Sequence, residues 1–298
     1  MKGKEFKLNI LIALSPAILW GCNPLWAHFC GGESIEQLLG ATYGAFIIGL
    51  LIFIFKQPTI TAWDFLWCFL AGVGWSVGQL TQFEGFIKLG AATTTPISAG
   101  TQLVGVNLAG VMFFGSWKSP MAKVIGFAAV VLVMLGVYLT TKTDQQSTPK
   151  QRNNSAKYVI ELIFGSLFGY GCCSTLPKIP GTNGWSAFPP QAVGMIVTAV
   201  LLSLILKQYR GKKLLFSKHT FKNMLTGFNT GLGTFGYLVS LMINGVSTAF
   251  TLSQMSIVVG TLGGLFILHE HKTRKALIYT IAGLILTVIG GVMTGFIH

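Results

Sequence analysis

Charge is what this sequence has least of. Its 298 residues include only eight Asp and Glu, and all charged residues together make up 10%. A soluble domain carries about 25% charged residues, so there is too little here to coat a water-facing surface. Cysteine is equally uninformative as a framework: Cys22, Cys30, Cys68, Cys172 and Cys173 include no CxxC pair, which argues against a disulfide scaffold or a zinc ribbon. No Ser/His/Asp, Cys/His or paired-carboxylate set suggests catalysis, so an enzyme is not expected, nor is a cofactor. His269-Glu270-His271 is the nearest approach to a metal motif. Residues i and i+2 point to different sides of a helix, HExxH spacing is missing, and no metal is expected. A helix end before the basic run 272–275 explains the segment more simply.

Apolar residues are abundant instead, at 52%, with a mean hydropathy of +0.65. About 30 Å of hydrocarbon is crossed at about 1.5 Å per residue, so a spanning helix needs roughly 20 apolar residues. Ten such stretches occur, near 8–27, 35–55, 65–86, 92–114, 121–140, 158–177, 188–206, 223–243, 247–268 and 275–296. The fold class expected is therefore an all-α integral membrane protein with ten transmembrane helices. Met1–Lys7 followed by Leu8–Trp20 imitates a signal peptide, but nine further stretches favour a retained first helix.

The formal charge of +13 sits almost wholly between these stretches, notably at Lys142, Lys150, Arg152 and Lys157 and again from Lys207 to Lys222. Membrane proteins place basic residues in this way to fix orientation, whereas a nucleic-acid face needs them beside exposed aromatics on a folded surface. Nucleic acid is not an expected partner; the lipid bilayer is. Most Lys and Arg fall in the loops after odd-numbered stretches, which favours both termini outside the cell.

The chain repeats itself. At an offset of 155, Gly72 pairs with Gly227, Gly78 with Gly233, Gly90 with Gly245, Thr93 with Thr248, Ser98 with Ser253 and Gly105 with Gly260. At an offset of 150, Trp20-Gly21-Cys22 lies over Tyr170-Gly171-Cys172. The expected division is a first five-helix repeat at 1–145, a polar linker at 146–157 and a second repeat at 158–298. Five is odd, so the second copy inserts upside down. Inverted repeats of this kind belong to secondary transporters, with the substrate near the midplane. Small-xxx-small pairs at Gly40/Gly44, Gly74/Gly78, Gly165/Gly169, Gly227/Gly231, Gly260/Gly264 and Gly291/Gly295 predict close helix crossings.

Polar side chains at membrane depth are costly unless they face a partner or a wet cavity. Trp75, Gln79 and Gln82 share one helical face, and the repeat puts Thr230, Thr234 and Tyr237 at the equivalent positions of the eighth stretch. Ser98 and Gln102 lie in the fourth stretch, Ser253 and Gln254 in the ninth, Trp20 and Asn23 in the first, and Tyr170 in the sixth. A lone hydroxyl can bond its own helix backbone, so helix glue explains any single Ser or Thr. Several amides on neighbouring helices, each with four hydrogen-bonding sites, imply a shared polar cavity. Amides exchange hydrogen bonds with hydroxyls and aromatic rings cover an apolar sugar face, so the set suits a neutral polyhydroxylated ligand. No charged residue occupies a stretch centre, which argues against a proton-driven exporter of cations. Glu84, with Lys88 four residues on as an expected ion-pair partner, and Glu161 are the candidate proton carriers. Among the prolines, Pro96 reads as part of a helix cap and Pro24 as a gate candidate.

Leu14–Pro24 (LSPAILWGCNP), Gly72–Gln82 (GVGWSVGQLTQ), Pro96–Gly105 (PISAGTQLVG) and Thr248–Lys275 resemble the glucose/ribose porter family of the drug/metabolite transporter superfamily. Ala187–Val197 (AFPPQAVGMIV) is more similar to the ribose uptake branch. The resemblance implies a permease of the bacterial cytoplasmic membrane that takes up ribose or glucose, with protons as a coupling partner. The residues matching its motifs are Trp20, Gly21, Trp75, Gln79, Pro96, Ser98, Gln102, Ser253 and Gln254. It also implies both termini in the cytoplasm, opposite to the charge count. The alternative keeps the fold and exports another neutral metabolite, an amino acid, a nucleoside or a drug. Stretches five and ten, poor in polar residues, either face lipid or form a dimer interface.

Overall fold

The computed structural model describes residues 2–142 and 149–295. Among the described residues there are ten main helical segments and no strand. The first five are α1 (Lys2–Cys30), α2 (Ser34–Lys56), α3 (Ala62–Leu89), α4 (Ala91–Phe114) and α5 (Pro120–Thr140). Segment α6 begins at Pro149–Phe164, passes through a π-helical turn at Gly165–Tyr170 and ends with Gly171–Thr175. Then come α7 (Gly184–Ile205) and α8 (Met224–Ser253), with a five-residue helical turn at Lys218–Lys222 between them. Segment α9 joins Ser256–Leu262 to a second π turn at Gly263–Ile267, and α10 is Arg274–Gly295.

Local chemistry sets many of these boundaries. Helix α2 opens with a capping box in which the Glu33 N–H donates to Glu36 Oε2 at 2.7 Å. Helix α3 repeats the device with Thr61 and Asp64. Ser119 caps α5 just before a proline at the first helical position, and Asn183 caps α7. Gly90, at a φ of 83°, turns the chain between α3 and α4, a conformation that suits glycine.

Seven segments carry stretches long and apolar enough to cross a membrane: those in α1, α2, α4, α5, α6, α7 and α10. Helices α3 and α8, at 28 and 30 residues, have the length to cross as well, and they carry the polar rows Trp75/Gln79/Gln82 and Thr230/Thr234/Tyr237. The large apolar side chains that remain exposed, among them Phe55, Phe113, Phe127, Met134, Phe266 and Ile285, give the outer surface its lipid-compatible character.

Two expectations about boundaries change. The polar linker expected at 146–157 is helical from Pro149 onward; 143–148 lie outside the described residues, as does the expected division at 145/146. The division expected between 243 and 247 is not a gap in helical backbone, which continues to Ser253, with the next helix starting at Ser256. Hydropathy responds to the polar Asn244-Gly245 pair, and neither residue ends the helix.

Small residues bring the helices together. Helix α3 crosses α7 where Gly72 meets the Gln191 carbonyl and Gly194 meets the Phe69 carbonyl. Helix α2 crosses α8 in the same manner, with Gly44 against the Met224 carbonyl and Gly227 against the Ala41 carbonyl. Helix α3 also meets α6, where a methyl on Gly78 would lie 3.0 Å from the Gly165 carbonyl. In lipid no hydrophobic force drives helices together, so such close approach supplies the packing energy. Helices α5 and α10 pair with each other along Gly136, Gly283 and Gly290, while Val131, Met134, Ile278 and Ile285 stay exposed.

Helix α4 corrects the reading of Pro96. Its cap is not the Thr93–Pro96 segment, because Pro96 lies inside the helix. The Glu270 carboxylate supplies the cap, accepting the N–H groups of Ala91 and Ala92 from the loop before α10. A carboxylate satisfies two orphan amides and meets the positive end of the helix dipole. Lys272 reinforces the junction by donating to Thr93 Oγ1 at 2.8 Å and Thr280 Oγ1 at 3.0 Å.

Candidate substrate-binding site

A cavity of about 330 Å³ opens inside the bundle between α1, α3, α4, α6, α7, α8 and α9. Trp20, Asn23, Trp75, Gln79, Gln82, Gln102, Tyr170, Thr234 and Tyr237, all singled out from the sequence, line it. None of its lining residues is Asp, Glu, Lys, Arg or His.

Its polar groups divide into two sets. One set is already bonded. The Tyr170 hydroxyl lies 2.9 Å from both Gln79 Oε1 and Gln82 Oε1, so its single proton is shared between two acceptors. Gln79 Nε2 donates to Gln82 Oε1 at 3.0 Å, and Gln82 Nε2 donates to Ser98 Oγ at 3.1 Å. Ser98 in turn meets Ser166 Oγ at 2.8 Å. The π turn of α6 carries both Ser166 and Tyr170, and its glycines allow that turn to press against α3. Across the cavity, Asn229 donates to Asn23 Oδ1 at 2.7 Å and to the Leu19 carbonyl. Trp20 Nε1 donates to the Thr230 carbonyl at 3.2 Å, and its ring stands 5.5 Å from that of Tyr237.

The other set is uncommitted. The side chains of Gln102, Trp75 and Tyr237 line the cavity with no hydrogen-bond partner among the described residues. Gln191 donates from Nε2 to Cys173 Sγ at 3.0 Å, leaving its carbonyl oxygen unengaged. A polyhydroxylated ligand would find amide, phenol and indole groups here, between the flat faces of Trp and Tyr rings.

Three of the residues expected to contact substrate do not line this cavity. Ser98 stands behind Gln82 as its hydrogen-bond partner. Ser253 is buried at the end of α8, donating to the Phe250 carbonyl at 2.7 Å, and the side chain of Gln254 lies toward Gly291 of α10. The turn between α8 and α9 carries them away, and Ser256 lines the cavity instead. Gln191, Phe188 and Thr95 also line it and were not singled out. Gln191 carried the signal that picked out Gln79 and Gln102: a lone amide within an apolar stretch.

Glu84 and Glu161 line a different cavity, of about 810 Å³, against the other side of α3 and beside the segments 32–36 and 206–219. The expected Glu84–Lys88 pair does not form. Glu84 accepts from the Tyr209 hydroxyl at 2.9 Å and from Gln208 at 3.3 Å, while the Lys88 ammonium lies over the Tyr158 ring. Burial, with the Glu84 carboxylate adding to it, pushes the Tyr209 phenol up to about 12 and keeps it a donor. Glu161 pairs with Lys157 at 3.6 Å, and Glu33 with Lys212 at 2.6 Å.

The chain is similar over residues 11–297 to the family model described as "Sugar transport protein". The "Putative sugar uptake protein lmo0169" of Listeria monocytogenes is 38% identical, covering 97% of this chain and 99% of the relative. The "Glucose uptake protein GlcU" of Bacillus subtilis is 36% identical over 97% of this chain and 98% of its own length. A relative in Latilactobacillus sakei, "Putative ribose uptake protein RbsU", is also 36% identical, so identity does not separate ribose from glucose. A solved crystal structure, 12% identical, shares the fold at a TM-score of 0.60 over 96% of this chain and 97% of that one. With its family model covering nearly the whole length and its helices built for lipid, this multi-pass membrane protein belongs to the sugar transport protein family and is not an enzyme.

Proposed function

We propose that this chain is a permease for a small neutral sugar, such as ribose or glucose, in the bacterial cytoplasmic membrane. One observation carries the reading: in a sugar-transport family member, the central cavity is lined by amides, hydroxyls, Trp and Tyr, with no charged side chain. A neutral ligand matches such a site, because an ionised one would lie there without a counter-charge.

Transport proceeds by alternating access, with ten membrane-crossing helices arranged as two inverted five-helix repeats around the cavity. Several internal relationships support that arrangement. The Gly72–Gly194 crossing of α3 with α7 matches the Gly44–Gly227 crossing of α8 with α2, at the sequence offsets of the repeat. Gly78 likewise faces Tyr170, and Gly233 faces Trp20. Inverted repeats let two halves rock about a site near the midplane. Of the residues singled out from the sequence, those lining the cavity are the proposed sugar contacts, and Ser98 positions Gln82. Ser253 and Gln254 are assigned to helix packing. Proton coupling runs through Glu84 or Glu161 in the second cavity, and so acts on the conformational change rather than on the bound sugar.

The test is uptake of radiolabelled ribose and glucose by proteoliposomes containing the purified protein, with and without an imposed pH gradient. Saturable uptake of either sugar is expected. Dependence on the gradient would direct attention to Glu84→Gln and Glu161→Gln. No uptake of either sugar, in vesicles where folded protein is verified, would remove the sugar assignment and favour export of another neutral metabolite.

A further inference from the structure

We propose that Gln191 contacts the substrate, and that the Cys173 thiol holds its amide in reserve until a sugar hydroxyl replaces the sulfur. The inference rests on the sugar-permease reading. It concerns a residue that the motif and periodicity arguments did not select.

Position comes first. Phe188, Gln191 and Met195 follow at i, i+3 and i+7, so one face of α7 presents all three to the cavity. Gln191 is also the residue whose carbonyl meets Gly72 at the α3–α7 crossing, and Gly194 closes the same crossing from the other side. Backbone contact on that scale leaves little freedom to shift, so the amide extends from a fixed point. Binding groups held by rigid elements lose less on ordering than groups carried on loops.

The partner comes second. Gln79 and Gln82 are engaged with Tyr170 and Ser98, and the oxygen of Asn23 accepts from Asn229. A ligand that used those groups would have to compete with oxygen partners. Gln191 donates to sulfur, at 3.0 Å, and a thiol is a weak acceptor. Exchanging sulfur for a hydroxyl oxygen therefore strengthens the bond to Nε2. The same ligand hydroxyl, or its neighbour on the ring, can donate to the unengaged Oε1. A half-buried amide that would otherwise be left half-satisfied discriminates against ligands lacking a hydroxyl at that place.

Substitutions at both residues test the exchange in proteoliposomes with ribose and glucose. Gln191→Ala removes the amide, and Gln191→Glu keeps its shape without the donor; each should raise KM about tenfold for the transported sugar, with an unaltered melting temperature certifying the fold. Cys173 supplies the sharper readout. Cys173→Ala leaves the Gln191 amide without a competitor and should lower KM to half or less. Cys173→Ser offers a stronger acceptor, should hold the amide more tightly, and should raise KM severalfold. A thiol that only fills space gives the reverse order, since serine nearly preserves its shape and alanine leaves a void. That reversed order, or wild-type KM in both Gln191 variants, overturns the proposal while leaving the permease reading intact. Failure of the wild type to take up either sugar would instead remove the reading beneath it.

Discussion

Glu270 receives the backbone N–H groups of Ala91 and Ala92, and so the loop before α10 caps a helix nearly 180 residues earlier in the chain. The contact joins the two halves of the sequence at the turn between α3 and α4. It also explains why Gly90 is needed there: a Cβ at that position would lie 2.7 Å from a Glu270 carboxylate oxygen.

Glu270→Ala should therefore destabilise the protein by about 1.5–3 kcal/mol, the range for hydrogen bonds to a charged group. Glu270→Gln, which keeps one acceptor oxygen, should cost roughly half as much. Thermal unfolding in detergent measures both. Equal stability of wild type and Glu270→Ala would show that the cap contributes nothing.

The two polar sets of the cavity should respond differently to deletion. Tyr170→Phe removes a proton shared by Gln79 and Gln82, so it should lower stability by about 1 kcal/mol and weaken uptake together. Gln102→Ala removes an amide with no internal partner, so it should raise KM while melting stays at the wild-type temperature. Parallel uptake and melting measurements on the two variants check the distinction.

Gly21 and Gly171 occupy matching places in the repeated Trp/Tyr-Gly-Cys motif, yet their surroundings differ. A methyl group on Gly21 would lie 2.5 Å from Val259 Cβ, whereas at Gly171 it would meet nothing within 4 Å. Gly21→Ala should cost about 1–3 kcal/mol through overpacking. Gly171→Ala should be neutral or stabilising by about 0.5–1 kcal/mol, since alanine suits a helix better than glycine. Folded yield by fluorescence-detected size-exclusion chromatography, followed by melting, measures both.

Tyr209 gives a pH prediction with a definite sign. Its phenol is raised from 10.0 to about 12, chiefly by burial, so between these values the unfolded chain has lost a proton that the folded chain keeps. Stability from this group is present in full below pH 10 and is lost as the pH rises toward 12. Tyr209→Phe should flatten the alkaline arm of the stability profile relative to wild type. Superimposable profiles above pH 10 would contradict this.

Particular residues show how far the sequence could be read. The placement of Gln79, Gln82 and Trp75 on one face of α3 followed from helical spacing alone, and they meet Tyr170 in the cavity as the polarity argument implied. Glu84 was misread because spacing finds only local partners, and its actual partner, Tyr209, is 125 residues away. Gln254 fell outside the cavity because it sits in the break between α8 and α9, where the helical register that spacing arguments assume is interrupted. Gln191 lay inside the quoted segment Ala187–Val197 and was not singled out.

By itself the sequence determined that this chain is helical and belongs in lipid, because hydrocarbon demands long apolar helices with their backbone bonds internally satisfied. It determined too that amides, hydroxyls and rings rather than charges are buried at membrane depth. The tertiary structure alone decided which of those groups are spent on one another and which remain open. Hydrogen bonding at that depth depends on helix rotation and crossing distance, which are set where Gly72 meets α7 and Gly78 meets α6. Those contacts join residues more than 80 positions apart, and no local pattern records them.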